Sequence, residues 1–135
     1  MNKERLLERL ETYKKASKRL EEAARLEIHD DIVIDGVIQR FECTFELSWK
    51  LMRSFLEYVG IMEVRSPRGA IQEAYSYGLI GDGEAWIDML MDRNKTSHIY
   101  DEEEAKLIYG KITNKHTQLL MDFCQVMEKN IKDVK

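Results

Sequence analysis

Apolar positions recur along this chain with helical spacing. Leu6, Leu10, Tyr13, Ser17, Leu20 and Ala24 follow one another at intervals of four and three, set among Lys, Arg and Glu. So narrow a stripe predicts a surface-facing bundle helix over about 3–27. A second run, about 31–59, repeats the spacing through Ile34, Ile38, Phe41, Phe45, Ser48, Met52, Phe55 and Val59, with a further stripe through Val33, Val37, Leu47 and Leu51. Two apolar faces predict a central helix covered on more than one side. Gly60 is placed to end it in the left-handed conformation that glycine adopts without steric cost.

Ser66-Pro67 reads as an N-cap followed by a proline in the first turn, where its missing N–H loses nothing, and predicts a short helix over about 67–77. Gly78 and then Gly81-Asp82-Gly83 break the chain before a fourth helix from about Glu84 to Arg93. Asn94-Lys95-Thr96-Ser97 has middling to poor helix propensity. Asp101 with Glu104 three positions on has the form of a capping box, and the acidic run Asp101–Glu104 suits a helix N-terminus. The last helix therefore begins near Asp101 and keeps bundle spacing through Ala105, Ile108, Ile112, Leu119, Phe123 and Val126 to about Ile131. The expected fold is all-α. It is an antiparallel helical bundle of about five helices, three of them long, with the two short ones capping one end. Long helices in so small a chain have little lateral cover, so apolar surface is expected to be buried in a homodimer.

Composition narrows the functions open to this fold. The 135 residues are one domain's length, 1–135, and 44% hydrophobic with 34% charged residues is enough apolar material for a core. One proline and 7 glycines disfavour sandwiches and barrels. With 21 basic and 25 acidic residues the net charge is −4, so nothing global attracts nucleic acid or an anionic membrane, and an RNA site has to be local. Cys43 and Cys124 lack metal-ligand spacing and sit in apolar helical patterns, which predicts buried free thiols in a reducing compartment. No signal-peptide core and no run of about 20 apolar residues is present, so a cytoplasmic protein without a membrane partner is expected.

One segment joins unusual composition to titratable groups: Asp92-Arg93-Asn94-Lys95-Thr96-Ser97-His98-Ile99-Tyr100-Asp101. On an ideal helix Arg93 and His98 would point about 140° apart. If the helix stops between them, both can converge. A guanidinium can then hold a phosphate bidentately while an imidazole moves protons near neutral pH, which is phosphodiester chemistry without a metal. The plain alternative stands beside it: Arg93 pairs with Asp88 or a final-turn carbonyl and His98 bonds near the cap. His29 reads as solvated in a turn, His116 as an ordinary helix-face histidine, and Trp49 and Trp86 as core or interface anchors. Arg65 and Arg68 flank the cap of the third helix and supply local positive charge. No phosphate-binding glycine loop or nucleophile elbow is present.

Phe41-Glu42-Cys43-Thr44-Phe45-Glu46-Leu47-Ser48-Trp49-Lys50, then Ser66-Pro67-Arg68, then Trp86 through Asp101 resemble, in order and over nearly the whole chain, the nucleotidyltransferase substrate-binding protein family. That family lies in the HEPN superfamily of helical bundles. Its members form dimers, are typically encoded beside a minimal nucleotidyltransferase, and were named from the helical substrate-binding domain of kanamycin nucleotidyltransferase. The resemblance implies first a helical partner subunit of a cognate minimal nucleotidyltransferase, in a two-protein toxin–antitoxin-like system, with no cofactor of its own. The superfamily also holds metal-independent ribonucleases whose Arg-x4-His-x-Tyr pattern is met here by Arg93, His98 and Tyr100. On that resemblance His98 is the general acid or base for attack of a ribose 2′-hydroxyl, Arg93 stabilises the phosphorane and Asn94 orients groups. Tyr100 is then where the nucleotidyltransferase attaches AMP. Arg65, Arg68 and Lys95 would contact RNA or another substrate and offset Asp101–Glu104. A third reading makes the polar motif structural in a dimerisation module.

Overall fold

The computed structural model describes residues 1–99 and 101–135; Tyr100, the expected modification site, lies outside the described residues. Those residues form α1 (Lys3–Ala24), α2 (Asp31–Tyr58), α3 (Pro67–Tyr77), α4 (Gly83–Lys95), a 3-10 turn (Thr96–His98), α5 (Glu102–Lys111), a π turn (Ile112–His116) and α6 (Thr117–Asp133). No strand occurs among them. No helix is long and apolar enough to cross a membrane.

The helices begin where short polar side chains satisfy their first free N–H groups. Asn2, Asp30, Ser66, Asp82 and Asp101 accept from the backbone N–H of Arg5, Ile32, Gly69, Ala85 and Glu104 at 2.8–3.0 Å. Gly60 ends α2 at φ 96°, and the Ile61 N–H donates back to the Leu56 carbonyl at 2.8 Å, the expected left-handed stop.

α2 is the central helix. Its faces bury Ile34, Val37, Ile38, Phe41, Phe45, Leu51, Met52 and Phe55. α1 runs antiparallel to it, as shown by Arg40 Nη1 donating to Arg19 O at 2.8 Å and Thr44 Oγ1 to Ala16 O at 3.3 Å. α1 also lies antiparallel to α6, where buried Tyr13 donates its hydroxyl to Leu120 O at 2.7 Å and Lys14 pairs with Glu128 at 3.2 Å. α3 covers the C-terminal half of α2, with Tyr77 edge-on to Phe55 at 5.4 Å between centroids. α4 does more than cap an end. It runs back along α2 as a fourth wall, and Trp86 fits between Phe45 and Phe123 at 6.4 and 5.3 Å.

Four expectations are corrected. α1 ends at Ala24, not near 27, and α4 extends two residues beyond Arg93 to Lys95. Cys43 is exposed, whereas Cys124 is buried as expected. Cys43 continues the outward row of Asp35 and Gln39 at four-residue spacing, so it lies on the solvent edge of α2. The last helical rod is interrupted by the π turn, which inserts an extra residue. Beyond it Leu120, Phe123, Cys124, Met127 and Ile131 are buried, while Leu119 and Val126, expected inside, are only half-buried.

Tyr13→Phe should lower the unfolding free energy by about 1 kcal/mol, because it removes a buried hydrogen bond to the Leu120 carbonyl, and Phe123→Ala by about 3–5 kcal/mol, because it empties the aromatic centre. Urea unfolding of both variants beside the parent checks the ranking.

Candidate functional site

α4 stops after Lys95 because hydroxyl side chains take over its last carbonyls. Thr96 Oγ1 donates to Arg93 O at 2.7 Å, with Glu42 Oε2 of α2 also in reach at 2.9 Å, and Ser97 Oγ donates to Asn94 O at 3.2 Å. These local bonds compete with helix continuation and tighten the chain into the 3-10 turn. The α-helix thus ends between Arg93 and His98.

Beyond the turn opens a cleft of about 620 Å³ between the end of α4 and the outer face of α5. Asn94, Lys95 and His98 line it, facing Asp92, Lys111, Leu107 and Ile108. Three of the expected site residues therefore share one cavity. Arg93 does not line it. It is half-buried beside it, and its buried Nε has no hydrogen-bond partner. Neither Arg93 nor His98 is ion-paired to a described residue. The expected alternative in which Arg93 pairs with Asp88 is not what forms, since Asp88 binds Lys111 and Lys115 at 3.1 and 3.4 Å. Arg65 and Arg68 lie exposed at the start of α3 and are not part of the cleft wall.

Behind the cleft is a polar cluster that helical spacing does not reveal. His116, taken from the sequence as an ordinary helix-face residue, has a fully buried side chain and bonds through Nε2 to Asp92 Oδ2 at 2.6 Å. Asp92 is itself only 2% exposed, and its Oδ2 also meets Lys111 Nζ at 2.7 Å. The imidazole stacks on Phe41 at 5.5 Å with rings 18° from parallel. Lys111 and His116 are five residues apart and would diverge on a regular α-helix. The π turn between them, in which Thr117 N–H and Oγ1 both donate to Ile112 O, turns them toward one carboxylate. The legible signal was the pairing of Asp88 and Asp92 with Lys111 and Lys115, each pair four apart; the π turn was not legible.

Asp88, Asp92 and His116 bring three groups of metal-ligand type within 4.8 Å of one another. The Lys111 ammonium already lies 2.7 and 3.1 Å from the two carboxylates, where a cation would sit, so the cluster is a lysine-filled ion network. Burial tends to raise the Asp88 carboxyl, but Lys111 and Lys115 outweigh it and hold it below the usual range. Burial tends to lower Lys111, yet Asp92 and Asp88 keep it protonated above its ordinary value. For His116 burial dominates over the pull of Asp92 and lowers its pKa. The ring is therefore neutral near pH 7, with Nε2–H donating to Asp92 and Nδ1 buried without a partner.

That lowered pKa fixes the direction of one pH effect. In the unfolded chain a histidine takes up its proton near pH 6.5, while folded His116 does so only at lower pH. Its contribution to stability is therefore present above about pH 6.5 and lost as pH falls from there through the folded value. Melting temperatures at pH 7, 6 and 5 should fall with acidification, with a shallower fall in His116→Gln; equal slopes would show that the buried ring does not carry the effect.

Comparison with known proteins adds to this geometry. Residues 8–129 match the family described as nucleotidyltransferase substrate binding protein like. A Haemophilus influenzae protein named probable ribonuclease HepT is 38% identical over 89 residues, which are 63% of this chain and 61% of that protein, so the match spans about three fifths of the relative's length. A Haemophilus influenzae structure described as the fold of a substrate binding domain of a nucleotidyltransferase superposes with a TM-score of 0.68 at 26% identity, covering 94% of this chain and 99% of that one. The tri-AMPylated Shewanella oneidensis HEPN toxin, in complex with its MNT antitoxin, superposes at 0.74 over 96% and 99% of the two chains. At 18% identity that likeness is one of fold.

Proposed function

Because the chain belongs to the nucleotidyltransferase substrate binding protein-like family, we propose that it is the helical partner of a small nucleotidyltransferase encoded with it, in a toxin–antitoxin-like pair. The observation that carries this reading is the family match over residues 8–129, which takes in the whole bundle and its cleft. The fold shared with a HEPN toxin that is itself bound to an MNT antitoxin supports it. In this reading the nucleotidyltransferase transfers AMP to Tyr100, which lies in sequence between Ile99 of the cleft wall and the Asp101 cap of α5.

A second reading, favoured by a specific feature of the cleft, gives the chain its own activity as a metal-independent ribonuclease. Asn94, Lys95 and His98 line one cavity, and Arg93 stands beside it with a buried donor that no protein group satisfies. With its Nε buried, Arg93 would meet an incoming phosphate oxygen through the terminal nitrogens of its guanidinium. His98, exposed and not ion-paired to a described residue, would take the proton from a ribose 2′-hydroxyl as its oxygen attacks the adjoining phosphorus; the P–O5′ bond then breaks, leaving a 2′,3′-cyclic phosphate, and the departing 5′-oxygen takes a proton from water or from the imidazolium so formed. Arg93 would hold the phosphorane charge and Asn94 would orient the phosphate. The name of the Haemophilus influenzae relative agrees with this chemistry. AMP on Tyr100 would then silence the site by adding charge and bulk beside His98. Arg65 and Arg68 act, if on RNA at all, outside the cleft. The dimer belongs to the same proposal: Tyr75 and Met91 are exposed around an almost wholly apolar groove with Ile71 and Ile87, suited to a second copy.

Co-expression with the neighbouring nucleotidyltransferase should give a complex that survives size exclusion, and ATP should add adenylyl mass to the wild type but not to Tyr100→Phe. In EDTA the free protein should cleave RNA to 2′,3′-cyclic phosphate ends. His98→Ala should lose that cleavage with its melting temperature intact; equal cleavage by both would remove the ribonuclease reading. Sedimentation should give twice the 16.0 kDa chain mass, and Met91→Glu should shift it toward the single-chain value.

A further inference from the structure

The motif accounts for one wall of the cleft. The facing wall is α5, and from it Lys111 brings an ammonium that no sequence motif selects. We propose that Lys111 is a further phosphate-binding residue of this cleft, held in place by the buried Asp92–His116 pair. The proposal rests on the nucleic-acid reading above and adds a contact on the opposite side of the cavity from His98.

Three observations support it. Lys111 lines the same cavity as Asn94, Lys95 and His98 while remaining 41% exposed along its side chain, so its head is reachable from solvent. Three carboxylate oxygens surround the ammonium, Asp88 Oδ1 and Oδ2 at 3.2 and 3.1 Å and Asp92 Oδ2 at 2.7 Å, and a phosphate oxygen would take over one of the two longer contacts to Asp88, which Lys115 also holds. The carboxylates of Asp88 and Asp92 are balanced by Lys111 and Lys115, with His116 neutral, and Glu104 in the cleft wall is offset by Lys95 in the same wall.

The donor is also held in place. A lysine side chain on a surface helix samples many rotamers and makes a poor fixed contact. Here Asp92, only 2% exposed and bound through the same Oδ2 by His116 Nε2 at 2.6 Å, fixes the place of the ammonium. The π turn that brings Lys111 and His116 to one carboxylate departs from the helix regularity kept on either side of it, and such turns are frequent at functional sites. Lys111 is the binding residue, and Asp92 and His116 are positioning residues that act through it.

The test uses the full-length protein and a single-stranded RNA with 2′-O-methyl riboses, which keeps the phosphates and removes the attacking hydroxyl. Lys111→Gln should weaken binding of this probe by about 10-fold, as expected for one charge-assisted hydrogen bond, while Lys111→Arg retains most of it. His116→Gln should weaken it less, and adding His116→Gln to Lys111→Gln should change nothing further, because the pair acts through the lysine. With cleavable RNA the loss should appear in KM, with kcat little changed. If Lys111→Gln does not fold, Asp92→Asn combined with Lys111→Gln leaves no unpaired buried carboxylate and takes its place. Unchanged probe affinity in that variant, with cleavage still abolished by His98→Ala, would overturn the role of Lys111 and leave the ribonuclease reading standing. Weakened affinity in a protein whose wild type binds but never cleaves would uphold Lys111 and remove the ribonuclease. A wild type that does not bind the probe would overturn both.

Discussion

A carboxylate shut away from water has to have its charge answered inside the protein, and Asp92 places that demand on the elements around it. It is met by Lys111 and His116 at 2.7 and 2.6 Å, both from the rod formed by α5, the π turn and α6. A regular helix would present only one of them. The π turn is thus the backbone's answer to a charge carried by α4, and it shifts the packing register of everything that follows. Leu120, Cys124 and Met127 face the core because Asp92 needs two partners upstream. The same clasp sets α4 against the last rod, so that the end of α4 and the face of α5 stand apart by the width of the cleft.

The end of α4 is fixed by a different and weaker means. Thr96 and Ser97 turn their hydroxyls back onto the carbonyls of Arg93 and Asn94, and Thr96 also reaches Glu42 on the central helix. Each such bond contributes only about 1 kcal/mol, so the 3-10 turn stands on local chemistry, while the wall behind it stands on a buried ion network. His98 is thus carried by the part held through local bonds, and Lys111 by the part held through the ion network.

The architecture was legible because it rests on periodicity and caps. The apolar stripes of α1 and α2, the Ser66-Pro67 start, the Gly60 stop and the Asp101 cap each follow from local rules that leave marks in sequence. The packing of α4 along α2 was not legible, since nothing in its thirteen residues says that Trp86 fits between Phe45 and Phe123 and not over the bundle end. Of the site, Asn94, Lys95 and His98 were found by composition and resemblance, and they do share a cavity. His116 falls on the apolar stripe between Ile112 and Leu119, but its burial is explained only by Asp92, a partner 24 residues away that helical spacing does not bring to it. Cys43 was misplaced because α2 carries two apolar stripes, and a residue between them reads as inside until the covering helices are placed.

Charge explains how an acidic chain can present a site for an anion. On one side of Ile99 lies the cleft, where Lys95 and Lys111 balance Asp92 and Glu104 in the wall and Arg93 stands beside it; on the other lies a groove lined by Asp31, Asp35, Asp101 and Glu102, relieved only by Lys106. On the proposed reading, a phosphate chain entering the cleft would be repelled from continuing past Ile99, at a range of about 8–10 Å in physiological salt. Overall charge does not steer the strand toward this protein; the contrast across one residue orients it once it arrives. Because Asp88 and Asp92 are already balanced by lysines, few counterions are displaced on binding. Affinity on the proposed reading then comes more from directed donors, Arg93 and Lys111 on opposite sides, than from bulk electrostatics, and its dependence on salt is correspondingly shallow.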